Sequence, residues 1–375
     1  MIRYINENKN KIDIDIHTDV ETLRFPEITG FTPIEIGDNT FIRCESIRKV
    51  IIPEGVVKIG RHAFSRCTNL QEVILPHSLR TIDDCAFELC CNINSLYLPE
   101  NVASVSCTAF FPNKFPHDID VSPSNKNFCC KDGVLYTYDM SRIVFVYKYI
   151  KEFTIPSSVT HINTRAFAYC ENLEYIDIPS SVTHVGEEAF DSCTSLKKVV
   201  FHSDDTQIDP GAFKSCKALE EVELPKHLRV LHSYTFSGCT NLKKMTLPEC
   251  LAILDEYSLT GCKSLGTLHI PNSVSRIDPR AFWCCYGLNL IIHKHKGEID
   301  IDDDILGCCN VSYGSAFDCD FGDMDPDDRS MFRLASMLLS QIKITDSKKR
   351  QDIIDAFKSK DWVAIDGYMS DYIHK

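Results

Sequence analysis

No stretch of this chain approaches the ~20 apolar residues that a membrane-spanning helix needs. Met1 to Lys11 contain no apolar core of a secretory signal. Together these absences predict a cytoplasmic protein with no membrane insertion, the alternative being a cell-surface or secreted protein exported by a route the sequence does not display. The chain also lacks the strings that announce common chemistry: no P-loop, no G-x-G-x-x-G, no H-E-x-x-H and no G-x-S-x-G. No catalytic residue, cofactor or metal ligand is therefore assigned from sequence, and the expectation is a protein that is not an enzyme. Nineteen cysteines are present, yet no C-x-x-C pair, so the usual zinc spacing is missing. Basic excess is missing too: 40 Lys and Arg stand against 53 Asp and Glu, a net charge of −13. Nucleic acid is not expected as a partner.

What is present is a period. Cys44, Cys67 and Cys90, then Cys170, Cys193, Cys216, Cys239, Cys262, Cys285 and Cys308, follow one another in steps of 23 within each run. A fixed period of this size signals a stack of like units. Aligned on the cysteine, apolar residues recur three, six and eight places on, with proline at nine: Leu70, Val73, Leu75 and Pro76, then Leu173, Ile176, Ile178 and Pro179. Val-x-Leu and Ile-x-Ile put two apolar side chains on one face of a short strand, and proline ends it because it cannot donate to the ladder. Val-x-x-Ile predicts a return strand, and Ala-Phe-x-x-Cys a tight turn or short 3₁₀ helix on the opposite edge. Phe41, Phe64, Phe87, Phe110, Phe167, Phe190, Phe213, Phe236 and Phe282 predict a ladder inside the coil, with Leu259 where Phe is missing. Each periodic cysteine is expected to be a small buried hydrophobe with its thiol free. The off-register cysteines, Cys85 and Cys91 among them, are expected to serve packing.

These units resemble the BspA-like leucine-rich repeat family, whose repeat runs roughly L-x-x-I-x-I-P-x-x-V-x-x-I-x-x-x-A-F-x-x-C, and the resemblance covers about residues 20 to 310. It implies a β-rich (α/β) solenoid, a right-handed superhelix of about 12–13 units here, used for adhesion and protein binding. The organisation expected is an N-terminal cap with a first irregular repeat over 1–43, a repeat block over 44–112, an irregular repeat over 113–146, and a second block over 147–310. An acidic linker over 311–327 and C-terminal helices over 328–375 would follow. Terminal units need a different outer face because an open stack end exposes core, and Ile12, Ile14 and Ile16 alternate as a capping strand would.

The irregular unit carries extra residues between Cys90 and Cys170. Within it, Gly133 to Tyr136 and Ile143 to Val146 flank a polar turn, which predicts a β-hairpin with Tyr136 and Tyr138 at its tip. Asp318 cannot open an EF-hand loop, because the twelfth position is Arg329 rather than glutamate. His293 and His295 belong to a polar rim on a decaying repeat, and Asn310 opens a glycosylation sequon that matters only outside the cell.

The residue between the two core positions of each strand points outward. Copy by copy it is Ile51, Ile74, Tyr97, Asp120, Thr154, Asp177, Val200, Glu223, Thr246, His269 and Ile292. A contiguous apolar stripe on such a row marks an interaction site, although β-branched neighbours also stabilise a sheet with no partner present. The expected interaction face comprises Ile51, Ile74, Tyr97, Asp177, Glu223 and His269, with Tyr136 and Tyr138 at the hairpin. A protein partner and a monomeric chain are expected.

Overall fold

The computed structural model describes residues 35–111, 118–146 and 150–292. It adds short pieces at 3–4, 11–12, 14–15, 21–24, 299–301 and 309–313, and the single residues Asp352 and Ala356. The chain is a β-solenoid of about eleven turns, fewer than the 12–13 units counted from sequence. Each regular turn places one strand of three or four residues in a first row and one of two residues in a second. Lys49–Ile51, Glu72–Ile74 and Ser95–Leu98 are successive first-row strands, paired in parallel. Lys58–Ile59, Thr81–Ile82 and Ser104–Val105 do the same in the second row. The first-row strands stop before the proline as expected, Glu72–Ile74 ahead of Pro76 and Tyr175–Ile178 ahead of Pro179, and the proline carbonyls accept from Leu79 N–H at 3.1 Å and Val182 N–H at 2.9 Å.

The third edge is a turn in every described copy, not a 3₁₀ helix. Most turns place two residues in the left-handed region, such as His62 (φ 53°) with Arg66 (φ 63°) and Glu188 (φ 50°) with Ser192 (φ 59°). Each costs a non-glycine residue about 1–2 kcal/mol. The conformation aims alternate N–H groups at the next rung: His62 to the Asp84 carbonyl at 3.0 Å, Phe64 to Ala86 at 2.8 Å and Arg66 to Glu88 at 2.7 Å. Two or three hydrogen bonds per rung on this edge offset the strain.

Inside, the phenylalanine ladder is present. Phe41, Phe64, Phe87 and Phe110 stack with centroids 4.9, 5.3 and 5.7 Å apart. Phe167, Phe190, Phe213 and Phe236 follow at 4.8, 5.1 and 5.4 Å. The periodic cysteines are more than filler. Cys193 Sγ donates to the Phe167 carbonyl at 3.1 Å and Cys216 Sγ to Phe190 at 3.2 Å, one rung back in each case. The thiol thus adds a second hydrogen bond to a buried carbonyl that already accepts the cysteine N–H of its own turn, Cys170 at 3.0 Å and Cys193 at 3.2 Å. None of the seventeen described cysteines is in a disulfide.

The irregular unit is a three-stranded antiparallel meander: Phe128–Lys131, Val134–Thr137 and Arg142–Val146. The hairpin expected from sequence supplies its second and third strands; the first is additional. The meander lies between the two blocks. Phe128, Leu135, Val144 and Phe145 belong to the first core; Val134, Tyr136, Ile143 and Val146 belong to the second. The register shift at Leu135 and Tyr136 lets Val144 and Phe145 face the same side despite being neighbours. Phe145 lies 5.4 Å from Phe110 and extends the first ladder, while Val146 N–H bonds the Ala166 carbonyl at 2.8 Å as a turn residue would.

At the ends, Lys11–Ile12 pairs with Glu35–Ile36 to extend the second row, and Ile14–Asp15 pairs with Arg3–Tyr4. Asn310–Tyr313 pairs with Asn289–Ile292, so Val311 to Tyr313 form a strand of the coil rather than the start of a linker. The rest of the acidic linker lies outside the described residues, as does Cys308. So does the helical tail, apart from Asp352 and Ala356, which are helical.

This core makes two predictions. Phe190→Ala should lower stability by about 3–5 kcal/mol in urea unfolding, and a loss under about 1 kcal/mol would contradict a buried ladder. Burial pushes the Cys170 and Cys239 thiols up to about 12, so they stay protonated at mildly alkaline pH. Iodoacetamide should then modify exposed Cys91 in the native protein and reach Cys170 and Cys239 only after unfolding; rapid native labelling of either would argue against their burial.

Candidate interaction face

The first row forms one face of the solenoid. Ile51 lies opposite Ile74, and Ser95 lies opposite Glu72, which carries Tyr97 beside Ile74. Ile51 is half-buried, whereas Ile74 and Tyr97 are 41% and 48% exposed. The three form the contiguous stripe expected, and Asp120, opposite Tyr97, ends it.

Beyond the meander the row resumes at Glu152–Thr154 with a different character. Lys151, Glu174 and Lys197 alternate in sign from rung to rung, with Glu174 joined to Lys151 at 3.4 Å and to Lys197 at 2.9 Å. Glu220 and Lys243 continue at 3.0 Å. Asp177 accepts from the Tyr175 hydroxyl at 2.6 Å and lies 3.2 Å from His202 Nε2, and these contacts, the tyrosine first, hold its carboxyl below the usual range. Glu223, Thr246 and His269 are exposed.

Two expected positions need correction. Ile292 is 1% exposed, and His269 pairs with Ile291. The step from Leu268 to Leu290 is one residue short of the period, and a one-residue slip turns every strand side chain over, so Ile291 holds the outward place. Tyr136 is 1% exposed, inside the second core rather than at a tip, and burial pushes its phenol up to about 12. Tyr138, 58% exposed, does sit at the tip. There Asp139 fastens the turn, accepting from Thr137 Oγ1 at 2.6 Å, Ser141 N–H at 3.0 Å and Ser141 Oγ at 2.8 Å.

Other features have no counterpart among the sequence expectations. A cavity of about 270 Å³ opens on the second row where the meander meets the blocks, lined among others by Cys107, Arg142, His161, His184 and Asp209. His184 Nε2 lies 2.9 Å from Asp209, and burial, with Arg142 and His184 nearby, pushes the His161 imidazole down. On the turn edge Tyr234 stacks on Tyr257 at 5.0 Å and Tyr257 on Trp283 at 5.8 Å, with Arg280 over the Tyr257 ring. Tyr234 and Tyr257 both stand five places before a periodic cysteine, so comparing that column is the signal that finds them. The sequon asparagine is no acceptor in this fold, since Asn310 is 8% exposed and donates to Asn289 Oδ1 at 2.8 Å. His293 and His295 lie outside the described residues.

A coil with these columns is a leucine-rich repeat solenoid. The chain belongs to the BspA type leucine-rich repeat region family, whose model matches residues 34–131, 139–234 and 206–313. Among solved structures it is similar to a leucine-rich repeat protein from Eubacterium ventriosum, at 20% identity and TM-score 0.66, covering 79% of this chain and 87% of that one. The pneumococcal vaccine antigen PcpA aligns at 18% identity and TM-score 0.59, covering 76% and 71%. A leucine-rich cell surface protein from Faecalibacterium prausnitzii aligns at 23% identity and TM-score 0.52, covering 77% and 75%. At these identities the likeness shows the fold alone. No curated protein matches this chain. Among the described residues no helix is long and apolar enough to cross a membrane.

The Asp139 turn carries a pH prediction. The Thr137 and Ser141 hydrogen bonds pull its carboxyl from 3.8 down to about 2. A depressed carboxylate contributes stability that is present above the ordinary value and lost as pH falls through the folded one. Side-chain NMR should therefore give an Asp139 midpoint near 2, and Asp139→Asn should remove that step; a midpoint near 3.8 would mean the turn is open in solution.

Proposed function

We propose that this protein is a non-enzymatic scaffold that binds another protein through the Ile51, Ile74 and Tyr97 stripe. The observation that carries the proposal is the contiguity of two exposed large apolar side chains and their half-buried neighbour on adjacent paired rungs. Burying such a stripe against a partner removes apolar surface from water at about 25 cal/mol per Å². Asp177, Glu223 and His269, on the far side of the meander, would supply polar contacts at the rim, and Tyr138 a further anchor.

The described cysteines are free thiols, and buried ones such as Cys193 and Cys216 are used as hydrogen-bond donors, which supports a reducing compartment. A second reading is favoured by two structural neighbours, a vaccine antigen and a cell surface protein: a surface adhesin that presents the same stripe outside the cell. Protease shaving of intact cells distinguishes the two, since it should spare the intracellular scaffold and release the adhesin.

The stripe is tested by affinity pull-down with mass spectrometry, comparing the native chain with an Ile74→Asp, Tyr97→Asp double variant. Both side chains point outward, so the variant should fold and lose the specific partners. Recovery of the same partners by both baits would place binding elsewhere.

A further inference from the structure

On the turn edge of the first block, three side chains with metal-binding atoms converge. His62 and Cys85 occupy the same place on successive rungs, five residues before Cys67 and Cys90. Both are left-handed at φ 53°, so one backbone geometry sets both side chains. Glu88 returns toward them from the Cys85 rung. The imidazole, thiol and carboxylate ligand atoms all lie within 4.8 Å of one another, with His62 Nδ1 3.3 Å from Glu88 Oε2. Ligands at 2.0–2.3 Å from a tetrahedral zinc are separated by roughly 3.4–3.7 Å. Closing the set to that geometry needs at most about 1 Å of side-chain movement.

The surroundings orient these donors. Ser65, fully buried, donates its hydroxyl to Glu88 Oε2 at 2.7 Å, the kind of supporting contact that fixes a ligating carboxylate. The rung backbone is tied beneath it, with His62 N–H on the Asp84 carbonyl and Arg66 N–H on the Glu88 carbonyl. The second block provides an internal comparison. The equivalent places there hold Arg165, Glu188 and Asp191. Arg165 pairs with Glu188, and Lys214 joins it at 3.1 Å, so protein cations occupy that carboxylate cluster. In the first block the corresponding set has borderline-soft donors and no Lys or Arg ion-paired to Glu88 among the described residues.

We propose that His62, Cys85 and Glu88 form a three-ligand site for a zinc-class divalent cation, with water in the fourth position. An N, S, O donor set suits zinc and cobalt, whereas calcium and magnesium prefer oxygen alone. Binding requires the thiolate, so the Cys85 proton passes to solvent as the metal enters. The repeat spacing hides this site from short-motif searches, because two of its ligands are 23 residues apart on neighbouring rungs.

The test uses the full chain, reduced and stripped of metal, titrated with cobalt(II). The native protein should bind one equivalent with a thiolate-to-cobalt charge-transfer band and the visible bands of tetrahedral cobalt, and zinc should displace it. Cys85→Ser should abolish the charge-transfer band. His62→Asn, which tolerates the left-handed backbone, and Glu88→Gln should each weaken binding by more than about tenfold. Cys91→Ser should change nothing, which guards against adventitious thiol binding. Circular dichroism of the metal-free variants separates lost binding from lost folding. Zinc should also raise the unfolding midpoint of the native chain but not of Cys85→Ser. Failure of the native chain to take up cobalt, or persistence of the band in Cys85→Ser, would overturn the site.

Discussion

Hydrogen bonding from each rung to the next is the constraint that the rest of this molecule obeys. Strands satisfy it on two edges in the ordinary way. The third edge must turn the chain and still aim its N–H groups along the stack. Two left-handed residues in most turns meet both demands, as at His62 with Arg66 and at Glu188 with Ser192. Once that edge is fixed, the ring stack follows, because phenylalanine occupies the same place in nearly every turn and its N–H is one of the donors. The cysteine follows as well, since Phe190 has a carbonyl facing inward and the Cys216 thiol reaches it from the next rung. A backbone requirement thus selects two of the most regular letters in the sequence.

The same registration turns any single residue choice into a column. Identical charges in one column would stack at strand spacing and repel, so sign alternation is the economical solution. Lys151, Glu174 and Lys197 show it on the strand face, and Arg165 followed by Glu188 shows it on the turn edge. Exposed pairs of this kind contribute about 0–1 kcal/mol each, so their role is to avoid repulsion more than to hold the coil together. Where like-charge avoidance is not needed, columns drift to other uses, as with the stacked Tyr234 and Tyr257.

Much of this is legible in the amino-acid sequence, because the period tells which residues stack. The strand rows, the proline break, the phenylalanine ladder, the hairpin and the Ile51–Ile74–Tyr97 stripe all come from counting. The rest is hidden where counting fails. Counting misplaces Ile292 because one residue is missing before Leu290, and a pleated strand converts that slip into a change of face. It puts Tyr136 at a hairpin tip by giving the strand one buried side, yet the meander is covered by a block on each side and buries both. The grouping of His62, Cys85 and Glu88 escapes it for the opposite reason: the cysteine rhythm draws attention to one column, and against that column Cys85 is an outlier although it is regular within its own.

The meander also bears on where a partner can sit. It interrupts the first row between Asp118–Val121 and Glu152–Thr154, so the strand face consists of two panels with unlike surfaces. In the second panel several charged groups, Lys151, Glu174, Lys197, Glu220 and Lys243 among them, already have partners across the rungs, and covering them would cost desolvation with little new attraction in return. In the first panel the exposed faces of Ile74 and Tyr97 gain simply by leaving water. Their border is set by Asp120 at the meander side, which confines the favourable area to the rungs before the insertion. On the proposed reading, a partner would therefore settle chiefly on the first block, with Asp177, Glu223 and His269 of the second touching only its rim.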